Sequence, residues 1–250
     1  GSGALIDART LAQMDSALGI ERRRFQAPGG PELAYRVVEP VAYGTEYGFS
    51  RSADGVEFRF NLANPPGQRT PIEAVRTAVL LHGWNMDGSS MLPWALGLAE
   101  NGWRTVVVDL RSHGESTRAP VGYGPREGAD VAALLGALRE SGDISGPLAL
   151  FGVSYGAVAA LYTAALPDAQ PVDAVIAMSP FANAAAGIRE MINGVKAQPA
   201  AGLRGRLVLA YARSSYDEAR NDRAIAGAGQ RLGIDLDGID VGDAATAVEA

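Results

Sequence analysis

Gly152-Val153-Ser154-Tyr155-Gly156 are the residues of this chain whose types and order suit covalent chemistry. They stand between a short apolar run, "PLALFGV" (147–153), and an unbroken apolar stretch from Tyr155 to Ala165, so Ser154 falls where a strand turns into a helix. A serine on so sharp a turn is held in strained backbone with its hydroxyl beyond the carboxyl edge of the sheet, and Gly152 and Gly156 leave the room this requires. The first amides of the following helix then face any oxyanion formed when the hydroxyl attacks a carbonyl. The chemistry implied is acyl transfer through a covalent intermediate on Ser154, with the backbone N–H of Tyr155 as one oxyanion donor.

Two more fragments bear on that chemistry. In "LLHGWNMDGS", His82-Gly83-Trp84 ends an apolar run, and an amide at Trp84 opposed to that of Tyr155 completes a two-donor oxyanion hole. In "VVVDLRSHGEST", a second β-branched run ends in Asp109, Arg111 and His113. Taken together and in this order, the three fragments resemble the α/β-hydrolase family over about residues 46 to 180. The resemblance implies Ser154 as nucleophile, Trp84 and Tyr155 as oxyanion donors through their backbone N–H groups, and a cap that shapes the substrate pocket. It makes His82, Gly83, Gly152 and Gly156 supporting residues of their motifs and His113 a residue that orders its loop, and it gives Asp109 and Arg111 a mainly structural reading. Ser112 stands where the family usually has glycine.

In that family the acid and the histidine follow the nucleophile, on loops after later strands. Here no histidine follows Ser154; His82 and His113 are the only two, and both precede it. The strand pattern at 172–180 ends in Met178-Ser179-Pro180-Phe181, without an acid. Each histidine has a more ordinary role in its own motif, so the expected base lies outside the chain. "GIDVGDAATAVEA" reads as the start of a helix capped at Asp240 or Asp243, and the sequence is expected to be a hydrolase lacking about 50 residues of strand and helix. A complementary C-terminal fragment is then an expected partner, and the chain alone should be nearly inert, since losing a triad base removes about 10⁶ in kcat.

The elements that must position these residues follow from pattern. "TAVLLHG" (77–83), "RTVVVDL" (104–110), "PLALFGV" (147–153) and "VDAVIAMSP" (172–180) read as strands buried on both faces of a mostly parallel, twisted sheet. Between the first two, Ser89 or Ser90 is expected to cap a helix that turns Met91, Leu92, Trp94, Ala95, Leu98 and Ala99 inward. Val131, Leu134, Leu135 and Leu138 mark one face of a helix that starts near Pro125 and ends at Gly142. "EYGFSRS" and "VEFRFNLANP" around Ala53-Asp54-Gly55 predict an antiparallel hairpin.

The expected organisation is an N-terminal extension over 1–45 with a helix near Asp7 to Leu18, and an α/β-hydrolase core over 46–180. A helical cap over 181–240, with patches at Ile188 to Val195 and Leu203 to Ala212, follows the sixth strand. The last residues, 241–250, begin a helix.

Composition narrows the function classes. With 250 residues, 47% of them hydrophobic, the chain can bury a substantial core. It holds no cysteine, which excludes a disulfide framework, a thiolate nucleophile and thiolate metal sites, and two histidines make a His-rich zinc site improbable. No metal and no organic cofactor is expected. A net charge of -6 argues against binding a phosphate backbone, and Arg22-Arg23-Arg24 reads as a solvated face. No apolar run is long enough to cross a bilayer, so a soluble protein is expected, with the compartment open between cytoplasm and cell envelope.

The leading function is hydrolysis of a small ester-like molecule, with amides, thioesters and lactones open. A competing class is a non-catalytic binding or scaffolding protein on the same fold. Nucleotide binding is disfavoured, because Gly227-Ala228-Gly229 with Gly233 follows no strand.

Overall fold

A computed structural model describes residues 7–52, 55–197 and 218–249. Among them, six strands form one sheet: β1 (Glu21–Gln26), β2 (Glu32–Val38), β5 (Arg76–Leu81), β6 (Trp103–Val108), β7 (Leu148–Val153) and β8 (Ala174–Met178). Their spatial order is β1-β2-β6-β5-β7-β8, with β1 and β2 antiparallel to their neighbours and β6, β5, β7 and β8 mutually parallel. The remaining pair, β3 (Thr45–Ser52) and β4 (Gly55–Leu62), forms a separate two-stranded ribbon, the expected hairpin.

The helices lie on both faces. On one, α3 (Pro125–Glu140) and α4 (Tyr155–Ala164) bury Val131, Leu134, Leu138 and Ala159 against Val79, Leu81 and Val106 of the strands. On the other, α1 (Ala8–Leu18) and α2 (Leu92–Ala99) bury Leu11, Leu92 and Leu96 against Leu80, Val107 and Phe151. This alternation explains why β5, β6 and β7 are apolar on both sides: each side chain meets a helix layer whichever way it points. No helix among the described residues is long and apolar enough to cross a membrane.

Beyond β8 come α5 (Ala184–Ala197), α6 (Glu218–Leu232) and α7 (Val241–Glu249). The chain leaves and returns at one place: Ala184 N–H donates to the Ile239 carbonyl, and Val241 N–H to that of Ala182. Ala184, Ala185, Ile225, Leu236 and Ile239 close a small apolar core of their own. Asp240 Oδ1 accepts from Gly242 N–H at the start of α7, so of the two expected caps Asp240 acts, and α7 packs Val241 and Ala244 on Val158 and Leu161 of α4. The helical patch expected at Leu203 to Ala212 lies outside the described residues, as does the turn at Ala53-Asp54.

Three expectations need correction. Residues 7–45 do not form an extension: the expected helix is α1, but β1 and β2 follow it inside the main sheet, and Leu33, Val37 and Val38 are core residues. The excursion at 181 thus follows the sixth strand of the main sheet but the eighth in chain order. The strand at 172–180 is not buried on both sides: among the described residues β8 pairs only with β7, and Ile176 and Met178 are exposed. Ser89 and Ser90 lie inside a 3₁₀ turn, Gly88–Met91, that leads into α2 and is capped by Asp87, which accepts from Ser89 N–H; α2 itself has no side-chain cap, and Trp94 faces outward with its edge toward Phe151.

The basic run on β1 is neutralised rather than free: Arg22 pairs with Asp15 and Glu115, Arg23 with Glu21 and Asp143, and Arg24 with Glu32.

Candidate active site

Ser154 sits directly after β7, at φ 52° and ψ -112°, a backbone conformation that side chains rarely adopt. Its own N–H donates to the Met178 carbonyl at 2.8 Å, which ties the turn to the end of β8. The flanking glycines are obligatory for a packing reason. A Cβ on Gly152 would stand 2.2 Å from the Gly156 carbonyl oxygen, and one on Gly156 would stand 2.2 Å from that of Leu81. The helix that follows is thereby brought down onto β5 and β7, and Ser154 is left at the mouth of a cavity.

That cavity holds about 280 Å³ and is lined on the sheet side by Trp84, Tyr123, Ser154 and Tyr155, and on the other by Phe181 and Met191 among others. The Ser154 hydroxyl has no hydrogen-bond partner among the described residues. Nor do the backbone amides of Trp84 and Tyr155 find a carbonyl acceptor there. Gly83 stands beside the serine, its would-be Cβ 3.9 Å from Ser154 Cβ, so the loop carrying Trp84 abuts the elbow.

The two histidines are placed close together but not free. His82 is fully buried; its Nδ1–H donates to the Gly83 carbonyl at 2.8 Å and its Nε2 accepts from Leu110 N–H at 3.0 Å. Burial holds its pKa down to about 4, so the ring is neutral. His113 Nδ1–H donates to the Arg111 carbonyl at 2.8 Å and Nε2 takes Asn85 N–H at 3.4 Å. The rings lie 5.1 Å apart, and each binds one loop to another. With both nitrogens of both rings engaged by backbone, neither histidine points a lone pair at Ser154.

Asp109 is likewise a loop organiser. Its Oδ1 accepts from Gly88 N–H at 2.6 Å and its Oδ2 from Glu115 N–H at 2.9 Å, and its cationic neighbour is Arg36 of β2, at 3.8 Å. Burial pushes its carboxyl pKa up against these contacts. Arg111 instead forms a two-point pair with Asp130 of α3, both contacts at 2.7 Å. Ser112, in the position expected to be glycine, takes φ 63°, which is why glycine is the usual residue; its hydroxyl joins both the N–H and the carbonyl of Ala119.

Two residues of the site escaped the sequence reading. Tyr123 lines the cavity with its ring stacked on Trp84, 5.3 Å between centroids and 18° between planes. Glu127, fully buried at the start of α3, accepts from Gly122 N–H and Gly124 N–H at 2.8 Å each. The available signal was "GYGPREG", a glycine-flanked tyrosine followed by Pro and, at the third helical position, Glu. Beneath the cavity the Tyr155 phenol is buried without a hydrogen-bond partner, and burial with the nearby Glu127 charge raises its pKa well above the ordinary tyrosine value. Among the described residues no group of His, Asp or Glu is arranged to hold a metal ion.

Comparison with known proteins agrees with this architecture. The family model for the alpha/beta hydrolase fold matches residues 78–204, just over half of the chain. The uncharacterized protein YqkD of Bacillus subtilis is 30% identical over 112 residues, 45% of this chain and 37% of that protein. Among solved structures, the Pyrococcus furiosus esterase Pf2001 superposes with a TM-score of 0.54 at 16% identity, over 78% of this chain and 61% of the esterase. The alpha/beta hydrolase GrgF from Penicillium sp. sh18 superposes at 0.50 with 16% identity, over 92% and 73%. The chain thus spans less than two thirds of the length of YqkD and of Pf2001. With a family match across more than half of its residues, the chain belongs to the alpha/beta hydrolase fold family.

Proposed function

We propose that this chain carries the nucleophilic half of a serine hydrolase acting on carboxylic esters. The observation that carries the reading is Ser154 itself: a strained serine with an unpartnered hydroxyl, facing a cavity from the carboxyl end of a parallel strand. Oγ attacks the ester carbonyl, the alcohol leaves, and water releases the acid from the acyl-enzyme. The tetrahedral oxyanion is met by the free N–H groups of Trp84 and Tyr155, each worth about 10² to 10³ in rate. The same elbow chemistry serves amides, thioesters and lactones.

The base that takes the Ser154 proton comes from a segment outside these 250 residues. Both histidines are saturated by backbone, and among the described residues nothing pairs with the outer edge of β8 beside Ser154, where a further strand can pair. A complementary segment docking there would bring the base and cover Ile176 and Met178. The same saturated histidines favour one alternative, a binding protein that keeps the fold without the reaction.

Labelling with a fluorophosphonate, read by mass spectrometry, separates the two. The hydrolase reading expects slow, covalent modification of Ser154, none in Ser154→Ala, and a rate faster by orders of magnitude in a chain that includes the base. Absence of labelling in both the short and the longer chain would establish the binding protein instead.

A further inference from the structure

Five non-glycine residues among those described have positive φ, and three of them, Tyr123, Ser154 and Ser179, line the one cavity at the elbow. A fourth, Asn85, follows Trp84, which lines it too. Strain held in this way is kept only where the surroundings over-determine it, and it gathers at working sites. Ser154 is accounted for by its attack on the ester. Tyr123 is not. At φ 53° a bulky aromatic residue is a backbone outlier that glycine would occupy without cost.

The device that holds it is on either side. Gly122 and Gly124 donate their N–H groups to the two oxygens of the buried Glu127 carboxylate, so one side chain grips both peptide neighbours of Tyr123. Neither glycine can be enlarged: a Cβ would stand 2.4 Å from Arg126 Cβ at position 122 and 2.5 Å from the Tyr162 ring at position 124. The result is a corner of three rings. Trp84 and Tyr123 lie nearly parallel, and Tyr155 stands at 71° to one and 88° to the other, with centroids 5.2 and 6.0 Å away. With Tyr155 buried behind them, Trp84 and Tyr123 offer a flat ring stacked and edge-on contacts, the two geometries in which aromatic pairs attract beyond simple burial. Glu190 is the one charged residue among those lining the cavity, which disfavours a second carboxylate on the ligand. A volume of about 280 Å³ lies at the small end of ligand pockets, too small for a long acyl chain.

We propose that Tyr123 is a specificity-determining residue and Glu127 its positioning residue, and that together with Trp84 and Tyr155 they select esters bearing a compact aromatic group next to the carbonyl. This rests on the ester reading of the same cavity. It needs no turnover, because the histidine-saturated chain binds an ester without consuming it.

The test is equilibrium binding of ethyl benzoate and ethyl hexanoate, two neutral esters of similar size, followed by ligand-observed NMR. The wild-type chain is expected to bind the benzoate about tenfold more tightly, as two aromatic contacts supply. Tyr123→Gly, which keeps the positive φ without strain and so should fold, is expected to bring the ratio to within twofold of unity. Glu127→Gln can accept only one of the two amides and should reduce the ratio about threefold. If Glu127 serves folding alone, that variant lowers Tm and leaves the ratio where it was, which overturns its positioning role. A wild-type ratio within twofold of unity, binding of neither ester, or an unchanged preference in Tyr123→Gly overturns the aromatic selection. Ser154 labelling is scored separately, so a chain that labels without preferring the benzoate refutes this inference and leaves the hydrolase reading intact.

Discussion

Ser154 and the two histidines occupy equivalent places in the fold, at or just beyond the carboxyl ends of neighbouring parallel strands, and they are built in opposite ways. At the elbow the backbone is strained and the hydroxyl and two nearby amides are left unsatisfied. At the histidine corner every ring nitrogen has a backbone partner and both rings are buried. Reactivity requires the first condition, since a group already hydrogen-bonded must lose a partner before it can serve a substrate. The contrast supports the proposal that this chain holds the nucleophilic half of a hydrolytic site, and it is a contrast that residue type alone does not disclose.

The strongest way to break the elbow side is to remove its close approach. Gly156→Ala places a methyl group 2.2 Å from the Leu81 carbonyl oxygen and 2.7 Å from that of His82, both backbone atoms of a central strand or its end. Overpacking of this kind costs about 3 kcal/mol, and here no side-chain rotation relieves it. Urea unfolding is the measurement; a loss under about 1 kcal/mol would mean that helix α4 does not need its contact with β5.

The histidine side is tested by pH. The His82 ring has a pKa near 4 in the fold against 6.5 when unfolded, so between these values the unfolded chain binds the additional proton. Its contribution is therefore complete above pH 6.5 and declines as pH falls toward 4, by about 3 kcal/mol in all. His82→Gln retains a donor for the Gly83 carbonyl and an acceptor for Leu110 N–H but does not titrate. Its stability should be lower than wild type at pH 7 and nearly equal or higher at pH 4.5. Parallel profiles for the two proteins would show that His82 is not held neutral by burial.

How far the sequence carried this contrast depends on what each element buries. Strands β5, β6 and β7 and helix α3 were legible because their apolar residues meet helices on both faces or recur along one. The first two strands were not, because β1 is an edge strand whose arginines point into ion pairs, and β2 buries Arg36 among Asp15, Asp109 and Glu115. A buried, paired arginine reads as surface in a linear pattern. Trp94 was misplaced for the converse reason, an apolar residue that the structure leaves half exposed. At the site, the elbow glycines, Ser154 and the Trp84 loop were legible as motifs. The saturation of His82 and His113 was not, since it depends on carbonyls and amides of the two loops after β5 and β6, and Tyr123 was missed because its place at the cavity comes with a positive φ beside a carboxylate four residues away.

The elbow's strain also predicts a gain. Ser154→Gly relieves a backbone conformation worth roughly 1–3 kcal/mol, against about 0.5–1 kcal/mol for the added freedom of glycine in the unfolded chain. The hydroxyl it removes has no partner to lose. The variant should therefore be more stable than wild type by about 1 kcal/mol in urea, while losing all fluorophosphonate labelling. A stabilised but unreactive variant is the outcome that distinguishes strain kept for chemistry from a turn kept for folding, and a destabilised one would place Ser154 among the structural residues.

Ser112→Gly is the control that sharpens this, and its expected effect is the smallest. The backbone at Ser112 has nearly the same φ as at Ser154, so glycine relieves strain there too. Here, however, the hydroxyl donates to the Ala119 carbonyl and accepts Ala119 N–H at 2.9 Å, bridging a loop across seven residues. Two hydrogen bonds of about 0.5 kcal/mol each offset a gain of about 1 kcal/mol, and the net change in stability should fall within about 0.5 kcal/mol of zero. Labelling of Ser154 should be unaltered. A clear stabilisation by Ser112→Gly would mean that these bonds contribute little and that positive φ alone, rather than an unsatisfied hydroxyl, governs the gain at the elbow.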